Sequence, residues 1–231
     1  MLANEAPWIL TVGSSSIDMN KRATAILGNK KEFDGESLPQ PKDFTPNFLP
    51  SVYPGKNGNT YAARCYPGSL NSTEMKGKAV LCEGPDVRKG QIVKAIGGVA
   101  SIFKNNEVQG YTMFDEAYVL PATVVSFGNG QAIKAYINST PFPKTKIVFK
   151  GTILGVKSVP EVAFYSSRGP NLANPGILKP DIISTAHNIL VTWPYSAENS
   201  TNSTSTSTSS TFFLIFGTLV YVLISVALQP Y

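Results

Sequence analysis

The chain contains one histidine, His187, so any mechanism that needs an imidazole base depends on that residue. A serine nucleophile also needs a carboxylate that orients the base, with all three groups within hydrogen-bond reach. The serines at 14–16 follow an apolar run and a glycine, where a hydroxyl-rich turn is common. The sequence has no G-x-S-x-G elbow. His187 is therefore either a general base or a surface or loop histidine, and the pattern favours the second interpretation.

The two cysteines, Cys65 and Cys82, cannot form a structural zinc site of the usual kind with a single histidine, because about four such ligands are needed. They form a disulfide if the compartment is oxidising. Otherwise they are two thiols, with Cys82 inside an apolar strand. We predict no cofactor for this chain.

Basic residues are too scattered for a nucleic-acid interface. The net charge is +5, from 20 basic and 15 acidic residues in 231. Pairs such as Lys30-Lys31 and Arg88-Lys89 are typical of a solvated surface. A nucleic-acid partner would need a basic stripe or a known binding module, so we expect none.

The first residues lack the basic and apolar regions of a signal peptide. The chain is therefore cytosolic, or its true N-terminus lies elsewhere. Four Asn-Ser-Thr tripeptides, which are N-glycosylation acceptors in secreted proteins, favour the second interpretation. They begin at Asn71, Asn138, Asn199 and Asn202.

The middle of the chain predicts a compact α+β unit. Strands are expected at Lys78–Cys82 and Val99–Phe103, on either side of a helix at Val87–Ile96 that two glycines end. The remaining predictions are strands at Trp8–Gly13, Ala23–Leu27, Thr123–Ser126, Lys146–Phe149, Ala163–Tyr165 and Asn188–Trp193, a helix at Gln131–Ile137, a turn at Phe33–Gly35 and a loop from Leu38 to Asn59.

The C-terminal part changes composition twice. Residues 199–211 are almost all Ser, Thr and Asn, which cannot build a core. Residues 212–228 are mainly apolar, and a helix over them would span about 25 Å, the lower limit for a bilayer. Three interpretations stay open for this segment: a membrane anchor, a buried helix, or the product of a shifted reading frame or faulty gene model.

Five blocks of the chain follow one another in a recognisable order. They are Asn4–Gly13, Lys78–Cys82, Val119–Thr123, Ala163–Pro170 and Leu178–Ile182. Together they resemble the plant subtilases, a family of subtilisin-like serine proteases. The second and third resemble blocks of the protease-associated (PA) domain that is inserted in that family, and the fourth resembles the return into the protease domain.

The resemblance implies an α/β fold, in which a partial subtilisin-like protease domain carries an inserted α+β PA domain. The implied organisation is a protease-domain fragment at 1–34, the PA domain at 35–150, a second protease-domain fragment at 151–198, a Ser/Thr-rich linker at 199–211 and the apolar segment at 212–228.

The resemblance also locates the position of the nucleophile. Gly217 and Thr218 match the family's Gly-Thr-Ser-Met block, but Leu219 stands in place of the serine. A leucine has no atom that can attack a carbonyl. The family's Asp, His and oxyanion-Asn blocks are absent as well. In the Ser-Ser-Arg-Gly-Pro turn, Arg168 is expected to hydrogen-bond loops or to pair with a carboxylate such as Asp181.

These observations imply a segment of a serine endopeptidase family that does not itself cleave peptides. Two alternatives remain. The PA domain could act as a non-catalytic module that binds a polypeptide substrate or protein partner, or that self-associates. Alternatively, the chain has no function. The resemblance implies a protein of the secretory pathway, with membrane attachment if 212–228 is an anchor.

Overall fold

The computed structural model describes residues 6–38, 44, 46–156, 159–172, 174–192 and 212–217. The chain divides into two compact units. One, here called the barrel unit, is Met19–Val156. The other, here called the flanking unit, combines Met1–Asp18 with Lys157–Tyr231.

Strands dominate both units. The strands are β1 (Val12–Ser15), β2 (Met19–Leu27), β3 (Glu32–Glu36), β4 (Leu49–Val52), β5 (Ala79–Glu83), β6 (Ala100–Lys104), β7 (Ala122–Val125), β8 (Lys144–Leu154), β9 (Ile182–Thr185), β10 (Ile189–Thr192) and β11 (Phe212–Ile215). The helices are α1 (Thr60–Ala63), α2 (Ser72–Met75), α3 (Val87–Ala95) and α4 (Phe127–Ser139), with a 3₁₀ turn at Pro54–Asn57.

The barrel unit closes on itself in the strand order β2-β3-β7-β6-β5-β4-β8. The four strands from β4 to β7 are parallel, and the other pairings in the barrel are antiparallel. Helix α3 forms the crossover between β5 and β6, as a parallel connection requires. Closure leaves no unpaired strand edge open to other chains.

The parallel strands β5, β6 and β7 are buried on both faces, which explains their largely apolar sequences. In β5, Leu81 joins a core cluster that includes Ile133 of α4, whereas its neighbour Cys82 joins a second cluster that includes Val93 of α3. Successive side chains of a strand point to opposite faces. One helix therefore covers each face of the strand.

Several sequence predictions are confirmed in the barrel unit. Helix α3 occupies the predicted Val87–Ile96 to within one residue, and its Asp86 cap accepts a hydrogen bond from the Arg88 N–H. The predicted strands at Lys78–Cys82 and Val99–Phe103 are β5 and β6, each shifted by one residue.

Other predictions are wrong. Phe33–Gly35 lies inside β3 and is not a turn, because Gly35 allows β7 to approach closely. Strand β4 interrupts the loop predicted for Leu38–Asn59. The compact barrel unit itself begins at Met19, since β2 pairs along β8 and belongs to the barrel.

The flanking unit contains two short sheets. Strands β1 and β9 are parallel, and β10 and β11 are antiparallel. The predicted strand at Asn188–Trp193 is β10, whereas Ala163–Tyr165 is mostly a turn. The helix interpretations of 212–228 are wrong for Phe212–Ile215, which form β11. Residues 218–228 and the linker at 199–211 lie outside the described part, and no helix among the described residues could cross a membrane.

A disulfide between Cys65 and Cys82 ties the segment after α1 to the end of β5. The two Cα atoms are 5.6 Å apart, and both cysteines are fully buried in the second core cluster. Cys65 has a positive φ of 54°, a conformation that few residues other than glycine adopt. The bond therefore holds a tight bend against the barrel.

We expect the barrel unit to lose stability when this bond is removed. A Cys65→Ser/Cys82→Ser variant should unfold with a free energy lower by about 3 kcal/mol, because the unfolded chain regains the entropy of the closed loop. Urea unfolding of the full chain measures this difference. Reductant should lower the stability of the wild type and leave the double variant unchanged, and a wild type insensitive to reductant would contradict the expectation.

Candidate functional site

The nucleophile position of the resemblance, Leu219, lies outside the described residues, and Gly217 is the last residue described before it. His187 is described, and it is a loop histidine, as one of the two alternatives expected, but it does not lie at the surface. Only 5% of its surface is exposed. It lies in the bend between β9 and β10, where the chain turns away from the parallel sheet of the flanking unit.

The His187 imidazole packs against a tyrosine. Its Nδ1 atom lies 3.1 Å from the Tyr165 hydroxyl, which also donates to the Ala186 carbonyl at 3.2 Å. The Ser14 hydroxyl donates to the same phenol at 3.2 Å. Burial raises the pKa of Tyr165, so the phenol stays neutral between serine and imidazole. This chain of hydrogen-bonded groups is a packing arrangement and does not reproduce a direct serine–imidazole contact.

Arg168 and Asp181 do not pair with each other. The Arg168 guanidinium donates to the Val162 carbonyl at 3.1 Å, which agrees with the expected hydrogen bond to a loop. Asp181 instead accepts from Lys179 at 2.6 Å and from the Thr11 N–H at 2.7 Å. The hydrogen bond from Lys179 is the main reason that the pKa of Asp181 is lowered. These contacts join the two segments of the flanking unit.

Two predicted glycosylation acceptors are described, and both are exposed. Asn71 caps α2 and accepts from the Thr73 N–H. Asn138 lies in the last turn of α4. Asn199 and Asn202 lie outside the described residues.

The barrel unit has a polar site that the sequence analysis missed. The carboxyl ends of parallel strands meet at one edge of a sheet, where α/β proteins commonly bind ligands. Here Glu83 ends β5 and lies opposite Lys104, which ends β6. Both charges follow mainly apolar strands, and this abrupt change is the sequence signal that could have located the site.

Glu83 is the centre of an ion cluster. Its Oε1 atom accepts from the Tyr53 hydroxyl and from Lys134, both at 2.9 Å, and lies 3.3 Å from the Lys104 ammonium. Burial raises the pKa of Glu83, but the hydrogen bonds and the lysine charges outweigh burial and lower it overall. Glu83 is therefore ionised at neutral pH and neutralises the nearly buried Lys104.

Gly130 makes room for this cluster. A Cβ atom at this position of α4 would collide with the aliphatic stem of Lys104. Glycine is unfavourable inside a helix, so it occurs there for a packing reason. The Lys104 ammonium also lies 5.1 Å from the centroid of the Phe127 ring, a cation–π distance.

A polar cavity of about 370 Å³ opens beside the ion cluster, and we call it the strand-end cavity. Lys89 lies at its edge and donates to the carbonyls of Glu83 and Gly84 at 2.8 and 2.7 Å. Burial lowers the pKa of Lys89. The other lining residues with functional groups are Arg64, Tyr66, Lys104, Asn106, Glu107 and Gln109.

A second charge cluster holds the long connection between β6 and β7. Asp115 is 6% exposed, and its Oδ2 atom lies 3.3 Å from the Lys21 ammonium of β2. It also shares a hydrogen bond with the Glu36 carboxyl of β3. Burial raises the pKa of Asp115 to about 6, against the charge of Lys21. Burial and then the charge of Asp115 raise the pKa of Glu36, against Lys21 and Arg22.

The comparisons with known proteins agree with this architecture. Residues 25–133 match the family model described as the PA domain, so the barrel unit contains a PA domain. The chain is 42% identical to subtilisin-like protease SBT1.6 of Arabidopsis thaliana over 83% of this chain and 26% of that protein. It is 42% identical to SBT1.7 of the same plant, over 94% of this chain and 29% of that protein.

The chain belongs to the plant subtilisin-like protease family, which confirms the resemblance and the fold class inferred from the sequence. It spans about a quarter of the length of the curated relatives it matches.

Two solved structures show a weaker likeness. The aminopeptidase from Aneurinibacillus sp. strain AM-1 has a TM-score of 0.41 and 16% identity, covering 59% of this chain and 33% of that one. BSAP, a zinc aminopeptidase from Bacillus subtilis, has a TM-score of 0.38 and 17% identity over the same shares. TM-scores below 0.5 support no argument about function.

We expect the pair of Glu36 and Asp115 to make the protein less stable as pH rises from about 5 to 7. Both pKa values are raised in the folded state, so the native protein keeps protons that the unfolded chain has released. Carboxyls with a lowered pKa, such as Glu83, are ionised in both states above about pH 5. The free energy of unfolding should fall by about 2 kcal/mol over this range in urea titrations.

Matched variants separate the pair from the other acids. Glu36→Gln keeps a donor for Asp115 but removes one titrating group, so it should flatten the pH dependence. Glu32→Gln changes a carboxylate on the same strand that is more than half exposed and should preserve it. A wild-type stability that is constant or rising between pH 5 and 7 would contradict this account.

Proposed function

We propose that the chain is a segment of a subtilisin-like serine endopeptidase, to which it contributes the PA domain and part of the protease domain. The observation that carries the proposal is the collinear similarity to subtilisin-like proteases along most of the chain. The family reaction is peptide-bond hydrolysis. The chain as written does not catalyse it.

Three features of the residues support this inactivity. Leu219, at the nucleophile position, cannot attack a carbonyl. The only histidine is buried, with its Nδ1 atom 3.1 Å from the Tyr165 hydroxyl. The Asp, His and oxyanion-Asn blocks of the family do not occur in the sequence, so a general base and its orienting carboxylate must come from elsewhere.

A second function is favoured by the completeness of the barrel unit. It closes through its own strands and has its own core clusters. We propose that it serves as a non-catalytic module that binds a polypeptide, either a substrate or a protein partner. Self-association through the same domain is the alternative.

We further propose that the protein passes through the secretory pathway. An oxidising compartment suits the disulfide between Cys65 and Cys82. Exposed Asn71 and Asn138 are available for N-glycosylation there, and Asn199 and Asn202 are further acceptors in the same sequence pattern.

We expect no peptidase activity from the purified chain on a fluorogenic peptide substrate. A Leu219→Ser variant should also be inactive, because restoring the hydroxyl supplies neither the base nor the oxyanion donors. Cleavage above the level of a buffer blank, abolished by a serine-directed inhibitor, would overturn the proposed inactivity for whichever protein shows it.

The binding role predicts that a disordered polypeptide contacts the barrel unit. When dephosphorylated β-casein is added to the full chain, amides between 19 and 156 should exchange hydrogen more slowly, because bound backbone is shielded from water. Folded lysozyme at the same concentration is the control and should not slow exchange. Protection confined to the flanking unit, or none at all, would contradict a binding role for the barrel.

A further inference from the structure

We propose that the strand-end cavity binds a carboxylate of a polypeptide, either an acidic side chain or the C-terminal carboxylate. The inference rests on the proposed role of the barrel unit as a polypeptide-binding module, and it names the chemical group that the module recognises. The juxtaposition that carries it is an unpaired arginine, Arg64, beside two buried lysines that already have partners. Lys104 is paired with the Glu83 carboxylate, and Lys89 donates to backbone carbonyls.

Arg64 supplies the recognition group. Its side chain lines the cavity and is exposed, and within the described part of the chain it forms no ion pair or side-chain hydrogen bond. A guanidinium presents a planar fork of donors that matches the two oxygens of a carboxylate. An arginine that lines a cavity without a partner is therefore suited to an incoming carboxylate.

The charge balance of the cavity favours an anion. Its cations are Arg64, Lys89 and Lys104, and its carboxylates are Glu83 and Glu107. Glu83 is held by Lys104 and also by Lys134 and Tyr53. Its charge is thus compensated inside the protein. A cationic ligand would meet an excess of positive charge.

Neutral donors add to this preference. The Asn106 side-chain oxygen accepts from the Gln109 N–H at 2.8 Å, and the Gln109 side-chain oxygen accepts from the Asn106 N–H at 3.0 Å. Because both amide oxygens are used inside the loop, each side chain keeps its NH₂ group as a donor. Both residues line the cavity. The loop thereby presents donors and few acceptors to a ligand.

Covalent and buried contacts hold the backbone that carries these donors in place before a ligand arrives. Arg64 and Tyr66 flank Cys65, whose disulfide to Cys82 ties them to the end of β5. Lys89 fixes the backbone after β5 through its two carbonyl contacts. A preorganised site loses little conformational entropy on binding.

The dimensions suit part of a peptide. A volume of about 370 Å³ is at the lower end for ligand sites, sufficient for one side chain with adjacent backbone. The rings of Tyr66 and Phe127 form apolar parts of the wall, against which the methylene groups of an acidic side chain can pack.

The test is an NMR titration of the full ¹⁵N-labelled chain with three short peptides. The first is acetyl-AAEAA-amide, which carries only a side-chain carboxylate. The second is acetyl-AAAAA with a free C-terminus, which carries only the terminal carboxylate. The third is acetyl-AAQAA-amide, which carries neither. We expect the first or the second to shift amide signals around the cavity, and the third to bind at least about tenfold more weakly.

Variants assign that binding to the cavity. Arg64→Gln should weaken the preferred peptide about tenfold, and Arg64→Lys should weaken it less, because it keeps the charge and loses the fork. Lys76→Gln removes an exposed charge from the same unit outside the cavity lining and should have no effect. Circular dichroism verifies that each variant is folded.

The remaining outcomes overturn the proposal. Equal binding of all three peptides, no binding by any of them, or carboxylate binding that Arg64→Gln leaves unchanged would each exclude this site. If β-casein still protects the barrel unit in any of these cases, the module function stands and only the carboxylate site is wrong. If β-casein gives no protection either, both proposals fall.

Discussion

The pairing of β2 with β8 is the constraint on which the barrel unit depends. It joins Met19 to Leu154 at one end and Leu27 to Thr145 at the other, so residues far apart in sequence close the barrel. Without it, β2 and β8 would be unpaired edges on either side of an open sheet. The same pairing brings the first and last strands of the unit together, which is the geometry that an inserted domain requires.

Closure also explains where the polar site lies. The strands from β4 to β7 run parallel, so their carboxyl ends meet at one edge, and both faces of β5, β6 and β7 are already occupied by core side chains. Charged groups can be placed only where the strands end. Glu83 and Lys104 meet there because β5 and β6 are paired in register. The strand-end cavity then follows from the loops that continue beyond this edge.

The family of this chain suggests one function, and the arrangement of its own residues suggests another. The similarity to subtilisin-like proteases covers 83% of the chain in one relative, and the sequence contains a single histidine, His187. In the flanking unit, this histidine and its tyrosine neighbour Tyr165 belong to one hydrogen-bonded group. In the barrel unit, the charges are arranged around a cavity. The ability to bind a polypeptide is therefore better supported in this chain than the ability to cleave one.

The sequence correctly predicted elements that depend on residues close together in the chain. It did not predict features that depend on contacts between distant segments. Helix α3 could be predicted because Asp86 caps it, apolar residues recur at its spacing and glycines end it. The apolar runs of β5 and β6 likewise predicted buried strands.

In contrast, Gly35 suggested a turn because glycine is common in turns. In the fold, the residue lies in a strand, and glycine is needed there because the neighbouring strand β7 leaves no space for a side chain. Phe212–Ile215 suggested a helix, but pairing with β10 makes it a strand. The ion cluster of Glu83, Lys104 and Lys134 was equally hidden, because its members are brought together only by tertiary packing. Periodicity and capping act between neighbours in the chain, whereas register, burial of charge and close backbone approach depend on contacts between segments that the sequence does not place side by side.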